Sequence, residues 1–197
     1  MQHSRTNTRR LAHLTRLFLT AALLLAAGCG RRAVVVTGPG AQSGQTVLLT
    51  NLHADGRGVI WSANYTNPPG GVTIPICTPV RIDAVGRREI RFTTLTDHRR
   101  YRYVLHRSTR STLHDHLQRY FGAACPDVTS MSPEDQAGIQ NGQVYQGMTK
   151  QGVILAIGYP PENLTPSLEA DVWRYHTNRF NRFEVYFTNG VVSGMRN

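Results

Sequence analysis

The first half of the chain alternates apolar and polar residues with the period of two that is typical of β-strands. The segments "TPVRIDAVG" (78–86) and "REIRFTTLT" (88–96) show it most clearly, and Gly86 with Arg87 marks the turn between them. Three further segments have the same strand character: residues 46–52, 58–66 and 99–107. Five short strands joined by tight turns predict a small antiparallel β-barrel or β-sandwich.

A helix is predicted after these strands, over residues 111–122. Ser111 or Thr112 provides an N-cap, and Gly122 ends the helix. Its apolar residues recur at the spacing of one helix face, namely Leu113, Leu117 and Tyr120 or Phe121. The strands and this helix together form the predicted first module, residues 46–125.

A second module, residues 126–197, begins with helical patterns. Ser132 is a predicted N-cap, Pro133 lies in the first turn, and Asn141 with Gly142 ends this helix. Thr149 is the predicted cap of a second short helix. That helix has an apolar stripe of Val153, Ile154 and Ile157, and it ends at Gly158 before Pro160 and Pro161.

Three antiparallel strands are predicted to follow the two helices. They cover residues 171–177, 182–190 and 191–195, and Asn189 with Gly190 is a strong signal for a two-residue hairpin turn. The order of the second module is therefore two helices and then three strands, and the whole chain is predicted to be an α+β protein.

Residues 1–28 have the layout of a lipoprotein signal peptide. Four arginines precede residues 17–28, which carry no charge and are shorter than the about 20 apolar residues that span a bilayer. Cys29 follows small residues, as in a bacterial lipobox, although Ala26 stands where Leu is usual. We expect Cys29 to be acylated; the alternative is an ordinary signal peptide with an incidental cysteine.

The predicted localisation follows from this leader. Residues 29–45 are rich in Gly, Ser and Gln and predict a flexible, lipidated tether. Gly30, rather than Asp, follows the cysteine, which favours sorting to the outer membrane. We expect a lipid anchor in the outer membrane and a soluble body that faces the periplasm.

The two remaining cysteines, Cys77 and Cys125, predict a disulfide. An even pair in an oxidising compartment favours a bond, and free buried thiols are the alternative. The pair lacks the Cys-x-x-Cys spacing of disulfide oxidoreductases.

Positive charge is concentrated in the first module. Residues 81–119 contain ten arginines and four acidic residues, whereas residues 126–197 contain five basic and seven acidic residues. For an exported protein, this favours anionic lipid, lipopolysaccharide or an acidic protein face as partner and disfavours nucleic acid. Arginines on the solvated faces of strands are the alternative interpretation.

No catalytic, cofactor or phosphate-binding motif is present, and we expect no enzyme activity. His114 and His116, with His106 nearby, are the one group that suggests a metal. On a helix, positions 114 and 116 point about 200° apart, so we expect packing or surface histidines and no metal site. Glu162 and two neighbouring carboxylates, Glu169 and Asp171, are expected to be solvated loop residues.

The second module resembles the BamE (SmpA/OmlA) lipoprotein family and the related fold of β-lactamase inhibitor protein. The resemblance covers about residues 130–197. Its motifs are, in order, Gly147-Met148-Thr149, Val153, Gly158-Tyr159-Pro160, Trp173-Arg174-Tyr175, Val185 to Phe187, and Gly190-Val191-Val192. One departure is Gly152, because the family commonly has Gln or Glu there. A capping box with Thr149 is therefore missing.

The resemblance implies a noncatalytic lipoprotein that binds outer-membrane or periplasmic proteins and supports the assembly of outer-membrane β-barrels. The first module has no counterpart in single-domain members of the family. Five aromatic residues are the candidate binding surface: Tyr159, Trp173, Tyr175, Phe180 and Phe183. Because alternate positions must face the helices, half or more of the five are expected to belong to the core instead. The alternatives are a periplasmic inhibitor or ligand-binding protein with the same fold, and an enzyme that modifies the cell envelope.

Overall fold

The structure, a computed structural model, describes residues 45–197, and all of them belong to one compact unit. The predicted leader, Cys29 and the predicted tether up to residue 44 lie outside the described residues. The α+β class is confirmed, with three helices and eleven strands in the described part of the chain. No helix of that part is long and apolar enough to cross a membrane.

The first module is built on a curled, half-barrel sheet. The strands of residues 45–125 are β1 (Thr46–Leu48), β2 (Leu52–Ala54), β3 (Val59–Trp61), β4 (Val72–Ile74), β5 (Pro79–Val85), β6 (Glu89–Thr94), β7 (Arg100–Val104) and β8 (Phe121–Gly122). Six of them form the sheet in the order β3-β7-β6-β5-β1-β8, and β2 pairs separately with β4. The pairing of β3 with β7 is parallel, which differs from the fully antiparallel arrangement predicted.

The predicted strand over residues 46–52 is divided in two. Leu49 and two polar residues, Thr50 and Asn51, separate β1 from β2, so the chain leaves the half-barrel and pairs with β4 instead. Both residues are buried although they are polar. The Thr50 hydroxyl donates to the Asn51 carbonyl. Asn51 donates to carbonyls of the second module and accepts from the Ile76 N–H of the first.

Helix α1 (Leu113–Tyr120) begins where Thr112 was predicted to cap it. The Thr112 hydroxyl accepts a hydrogen bond from the Asp115 N–H, and the Asp115 carboxylate accepts one from the Thr112 N–H, which completes a capping box. The helix ends two residues before the predicted Gly122, because Phe121 and Gly122 pair with β1 as strand β8.

The second module has the predicted order of two helices and three strands. Its elements are α2 (Pro133–Asn141), α3 (Lys150–Ile157), β9 (Val172–His176), β10 (Arg182–Thr188) and β11 (Val191–Arg196). The strands form one antiparallel sheet in the order β11-β10-β9. Asn189 and Gly190 both have positive φ at the β10–β11 turn, as the sequence predicts. Gly158 follows α3 with φ +83°, but its ψ of 176° lies outside the left-handed helical region.

Each residue of the Gly-Met-Thr segment before α3, residues 147–149, has a different structural role. Gly147 has φ +91°, a conformation that L side chains rarely adopt. The Met148 side chain is fully buried and packs directly on Gly138 of α2, where a Cβ would lie 2.4 Å from the Met148 sulfur. Thr149 is the N-cap of α3, since its Oγ1 accepts a hydrogen bond of 2.9 Å from the Gly152 N–H.

Asp135 of α2 compensates for the glycine at position 152. Its carboxylate accepts hydrogen bonds from the Thr149 N–H, at 2.8 Å, and from the Thr149 hydroxyl, at 3.0 Å. The N–H of an N-cap residue is the group that Glu or Gln three residues later would otherwise bind. A Cβ on Gly152 would lie 1.7 Å from the Asp135 Oδ1, so Gly152 makes room for this carboxylate.

Each module has its own hydrophobic cluster. The cluster of the half-barrel contains Leu48, Ile90, Phe92, Tyr103 and Phe121 among others. The second lies between the sheet of the second module and its two helices, and it includes Met148, Val153, Trp173, Tyr175 and Val185. Tyr159 packs against both clusters. The independent folding of the two modules stays a prediction.

Two asparagines of the first module bind the C-terminal end of α3. Asn51 donates from its backbone N–H to the Leu155 carbonyl and from Nδ2 to the Ala156 carbonyl, at 3.0 and 2.9 Å. The Nδ2 of Asn64 donates to the Ile157 carbonyl at 2.7 Å. Helix ends leave such carbonyls without a partner in the helix, so the first module supplies the partners that α3 lacks.

The loop that contains Asn64 also extends the three-stranded sheet of the second module. Tyr65 forms a parallel bridge with His176 at the end of β9, and the N–H groups of Thr66 and Asn67 donate to the carbonyls of His176 and Thr177. The edge of β9 is therefore partly covered by the first module.

Cys77 and Cys125 lie at disulfide distance, as the sequence predicts. Their Cα atoms are 5.0 Å apart, and 48 positions of sequence separate them. That Cα distance lies within the range that disulfides allow. The bond joins the loop before β5 to the end of the first module.

Candidate binding surface

Two of the five candidate surface aromatics belong to the core and are therefore not part of a binding surface. Trp173 and Tyr175 are both 0% exposed. Alternation along β9 explains this, because Arg174 faces outward while its two neighbours face the helices. The Trp173 ring packs against Phe187 with centroids 4.7 Å apart, and the Tyr175 hydroxyl donates to the Gly158 carbonyl.

Tyr159 and Phe183 are partly buried and contribute mainly to packing. Phe183 stacks on Tyr175 with ring centroids 5.4 Å apart. Tyr159 contacts the edge of Tyr120, and the Arg119 guanidinium lies over its ring. The structure thus separates Phe180, the fifth candidate, from the other four.

Phe180 is 76% exposed, at the tip of the β9–β10 hairpin. The Asn178 carboxamide oxygen accepts hydrogen bonds from the N–H groups of Phe180 and Asn181, at 2.9 and 3.0 Å. The Thr177 N–H donates to the Asn181 carbonyl at 2.9 Å and closes the loop. These bonds fix the backbone that presents the ring.

Positive charge surrounds the exposed ring. The Arg179 guanidinium carbon lies 4.5 Å from the centre of the Phe180 ring. Arg182 lines an open cavity of about 590 Å³ beside it, together with Thr177, Asn181 and Asn197. The hairpin tip, which we define as residues 177–182, therefore combines one projecting aromatic ring with two arginines.

Glu162 is not the solvated loop residue that the sequence predicts. Its carboxylate accepts hydrogen bonds from the backbone N–H groups of Arg110 and Ser111, both at 2.9 Å, and pairs with Arg119 at 2.8 Å. Burial alone would raise the pKa of Glu162, but hydrogen bonds from Ser111 and Arg119 lower it to about 2. These groups line a cavity of about 280 Å³ with Tyr159 and Leu168.

The histidines of α1 do not share a site. His116 is buried and shares a hydrogen bond of 2.7 Å with the Tyr103 hydroxyl, whereas His114 is exposed and contacts Gln118. Burial lowers the pKa of His116 to about 4. Within residues 45–197, no group of three or more His, Cys, Asp or Glu side chains has the geometry to hold a metal ion.

The arginines of the first module line the outer face of its sheet. Arg81, Arg91, Arg100 and Arg102 lie on three adjacent strands and are exposed, while the residues between them face the core. Glu89 pairs with Arg91 and Arg102, and Asp83 pairs with Arg81. We call these four arginines the arginine face.

The structure also assigns roles that the sequence analysis did not find. Asn51, Asn64 and Asp135 join helices to distant segments, and Asn178 fixes the hairpin tip. Only Asn178 had a local signal, since Asn often accepts hydrogen bonds from backbone groups two residues later in turns. The partners of the other three lie too far along the chain for any local pattern to show.

Comparison with models of protein families, with curated proteins and with solved structures finds no match for this chain.

Proposed function

We propose that this protein is a noncatalytic lipoprotein of the bacterial cell envelope that binds other envelope proteins and supports the assembly of outer-membrane proteins. The observation that carries the proposal is the hairpin tip, where Phe180 projects from a loop fixed by Asn178. An aromatic side chain on a fixed backbone has few rotatable bonds to order, so it fills a partner's pocket at a low cost in conformational entropy. The resemblance to the BamE family supports the same class of function.

The internal bonding of the polar groups supports a binding role. Within residues 45–197, Glu162 and Asp135 both bond to backbone N–H groups and to side chains of other segments, and His116 bonds to Tyr103. In an enzyme site, polar groups converge on a cleft where a substrate binds. In this protein Asp135 and His116 connect segments of the fold, and Glu162 does so while also lining the cavity of about 280 Å³ beside Arg119.

A photoreactive amino acid at position 180 tests the hairpin tip. In envelopes of cells that make the full chain, we expect position 180 to cross-link to one partner protein of the outer membrane. Position 168 is the matched control, because Leu168 is also an exposed apolar residue, at 40%. Equal cross-linking from both positions would contradict a role for the hairpin tip.

The identity of the cross-linked partner separates the two candidate functions. A component of outer-membrane protein assembly supports the proposal, whereas a soluble periplasmic enzyme supports an inhibitor on the same fold. Phe180→Ala should lose the partner and, in a deletion strain, should fail to restore the levels of outer-membrane β-barrel proteins. Leu168→Ala should restore them fully.

The proposed anchor has its own test. Metabolic labelling with a fatty-acid analogue should mark the wild-type protein and not Cys29→Ala, because the thiol is the proposed acylation site. Labelling of both proteins to the same extent would remove the lipid anchor from the proposal, while the hairpin result would stand.

A further inference from the structure

The arginine face concentrates four cations on the outer face of three adjacent strands. Arg91 of β6 lies directly opposite Arg102 of β7. Arg81 of β5 and Arg100 of β7 lie on either side of Thr93 in the neighbouring row. Adjacent strands are about 5 Å apart and alternate residues about 7 Å apart, so all four guanidinium groups extend from an area of about 10 by 7 Å.

The acidic residues on this face balance only half of its charge. Glu89 is shared between Arg91 and Arg102, at 2.6 and 2.9 Å, and Asp83 pairs with Arg81 at 2.9 Å. Four arginines and two acids leave a net charge of +2. Like charges directly opposite on neighbouring strands destabilise a sheet, so folding alone gives no reason for this excess.

The surroundings add to the positive charge. Residues 81–107 contain eight arginines and three acidic residues. The described residues include five exposed large apolar side chains, and none of them lies in β5, β6 or β7. A cationic face with one exposed large apolar side chain beside it, Leu95 directly after β6, suits contact with charged headgroups at the surface of a bilayer, without deep insertion into it.

We infer that the arginine face binds the phosphate groups of an anionic phospholipid surface. The guanidinium fork matches phosphate oxygens geometrically. The inference rests on the proposed lipid anchor for its biological setting, because β1 of the same sheet directly follows the predicted tether. The predicted tether of 17 residues would have a mean reach of about 25 Å as a random coil and would keep the first module close to the membrane.

Vesicle binding by the unlipidated protein tests this inference without the anchor. Residues 30–197 contain every residue of the compact unit. They should bind phosphatidylcholine vesicles that contain phosphatidylglycerol and should not bind vesicles of phosphatidylcholine alone, and the affinity should fall as salt is added. The double variant Arg91→Gln/Arg102→Gln should lose about thirtyfold in affinity, since each arginine near an anionic surface contributes about fivefold.

The second sheet provides a matched control. Arg174 and Arg196 share Glu184 on its outer face as Arg91 and Arg102 share Glu89, at 2.8 and 2.6 Å. Arg174→Gln/Arg196→Gln therefore removes the same charge from an equivalent arrangement. Its affinity for the vesicles should stay within about threefold of wild type, a change that corresponds to less than 1 kcal/mol. Thermal unfolding of both variants verifies that each is folded.

Three results would overturn the inference. The first is no difference between vesicles with and without phosphatidylglycerol, and the second is an equal loss in the two double variants, which would mean that only net charge matters. The third is tighter binding to polyglutamate than to the vesicles, which would indicate an acidic protein as partner. None depends on acylation, so failure of the Cys29 labelling would leave the vesicle result unchanged.

Discussion

The half-barrel module and the helical module differ in where the ends of their elements find hydrogen-bond partners. Helix α1 of the first module is capped by its own Thr112 and Asp115, and it leads directly into β8 of its own sheet. Helix α3 of the second module ends on Asn51 and Asn64 of the first. The dependence is unequal at the helix ends: the second module uses the first to complete α3, whereas the N–H groups that Glu162 of the second module binds, those of Arg110 and Ser111, precede α1.

The asymmetry shows how a small layered module can be stable. A module of about 70 residues buries only a modest core and is marginal by itself. Contacts with a neighbour that satisfy buried backbone groups then carry more weight, since each unpaired buried group costs about 1–3 kcal/mol. The five predictions below test this asymmetry, from the largest expected effect to the smallest.

Separating the modules should have the largest effect. Residues 130–197 alone are predicted to fold as two helices and three strands, but they lose the partners of the Leu155, Ala156 and Ile157 carbonyls. We expect a fragment of marginal stability, with dispersed amide resonances in its NMR spectrum. Replacing Ile157 with Ala, at a cost of about 2–5 kcal/mol, should unfold it. A disordered wild-type fragment would show that the two modules share one folding unit.

Acid should destabilise the first module, which contains two buried histidines, His53 and His116. Burial lowers the pKa of His53 and of His116 from 6.5 to about 4, so the unfolded state binds more protons than the folded state between these values. The free energy of unfolding is therefore complete above pH 6.5 and should fall by about 6 kcal/mol between pH 7 and pH 4, about 3 kcal/mol for each histidine. Urea unfolding across this range measures it, and a flat profile would contradict it.

Removing the disulfide should affect the first module. The bond between Cys77 and Cys125 closes a loop of 48 positions, and the chain-entropy model assigns it about 4 kcal/mol. The double variant Cys77→Ser/Cys125→Ser should show that loss in urea unfolding. Thiol counting on denatured, unreduced protein should find neither cysteine free. Two reactive thiols in exported wild-type protein would show that the bond does not form.

Asn51 is the most specific test of the connection between the modules. Its side chain donates to the carbonyls of Ile139 and Ala156 and accepts from the Ile76 N–H, and the residue is 2% exposed. Asn51→Ala leaves all three groups without this partner, and we expect a loss of about 3 kcal/mol in the free energy of unfolding. Asn64→Gly is the control. Its site is half-buried, so water replaces the lost bonds and the effect should be smaller.

Replacing Gly152 with Ala should have the smallest effect on stability, and the direction of that effect tests the role of Asp135. Ala usually stabilises a helix relative to Gly by about 0.5–1 kcal/mol. Gly152→Ala should instead cost about 2 kcal/mol, because its Cβ would displace the Asp135 carboxylate from Thr149. Gly194→Ala, where a new Cβ meets no atom within 4 Å, is the control and should change stability little. A gain in stability from Gly152→Ala would contradict the role of Asp135.

The sequence predicts local structure well wherever neighbouring residues decide it. Thr112, Ser132 and Thr149 cap helices as expected, because an N-cap bonds to backbone groups only two or three residues away. The turn at Asn189 and Gly190 is equally local. The disulfide partners were found because only two cysteines remained after the lipobox.

Prediction fails where partners are distant in sequence. Nothing local shows that Asn51 interrupts a strand, since its partners lie 88 and 105 positions away. Likewise, alternation in "DVWRYHT" gives two faces, but the choice of the inner one depends on the helices that cover it. Trp173 and Tyr175 were therefore kept as surface candidates. In the structure, the face of β9 that carries these two aromatic residues is the one that is buried in the core.

The contact between Asp135 and position 152 has an evolutionary consequence. A carboxylate from α2 and a side chain at position 152 compete for the same space beside Thr149. A lineage that gains Glu or Gln at position 152 must therefore lose the carboxylate at position 135, and one that gains the carboxylate must keep glycine. A protein with only one of the two substitutions is less stable, so the two positions are expected to change together among homologues of this chain.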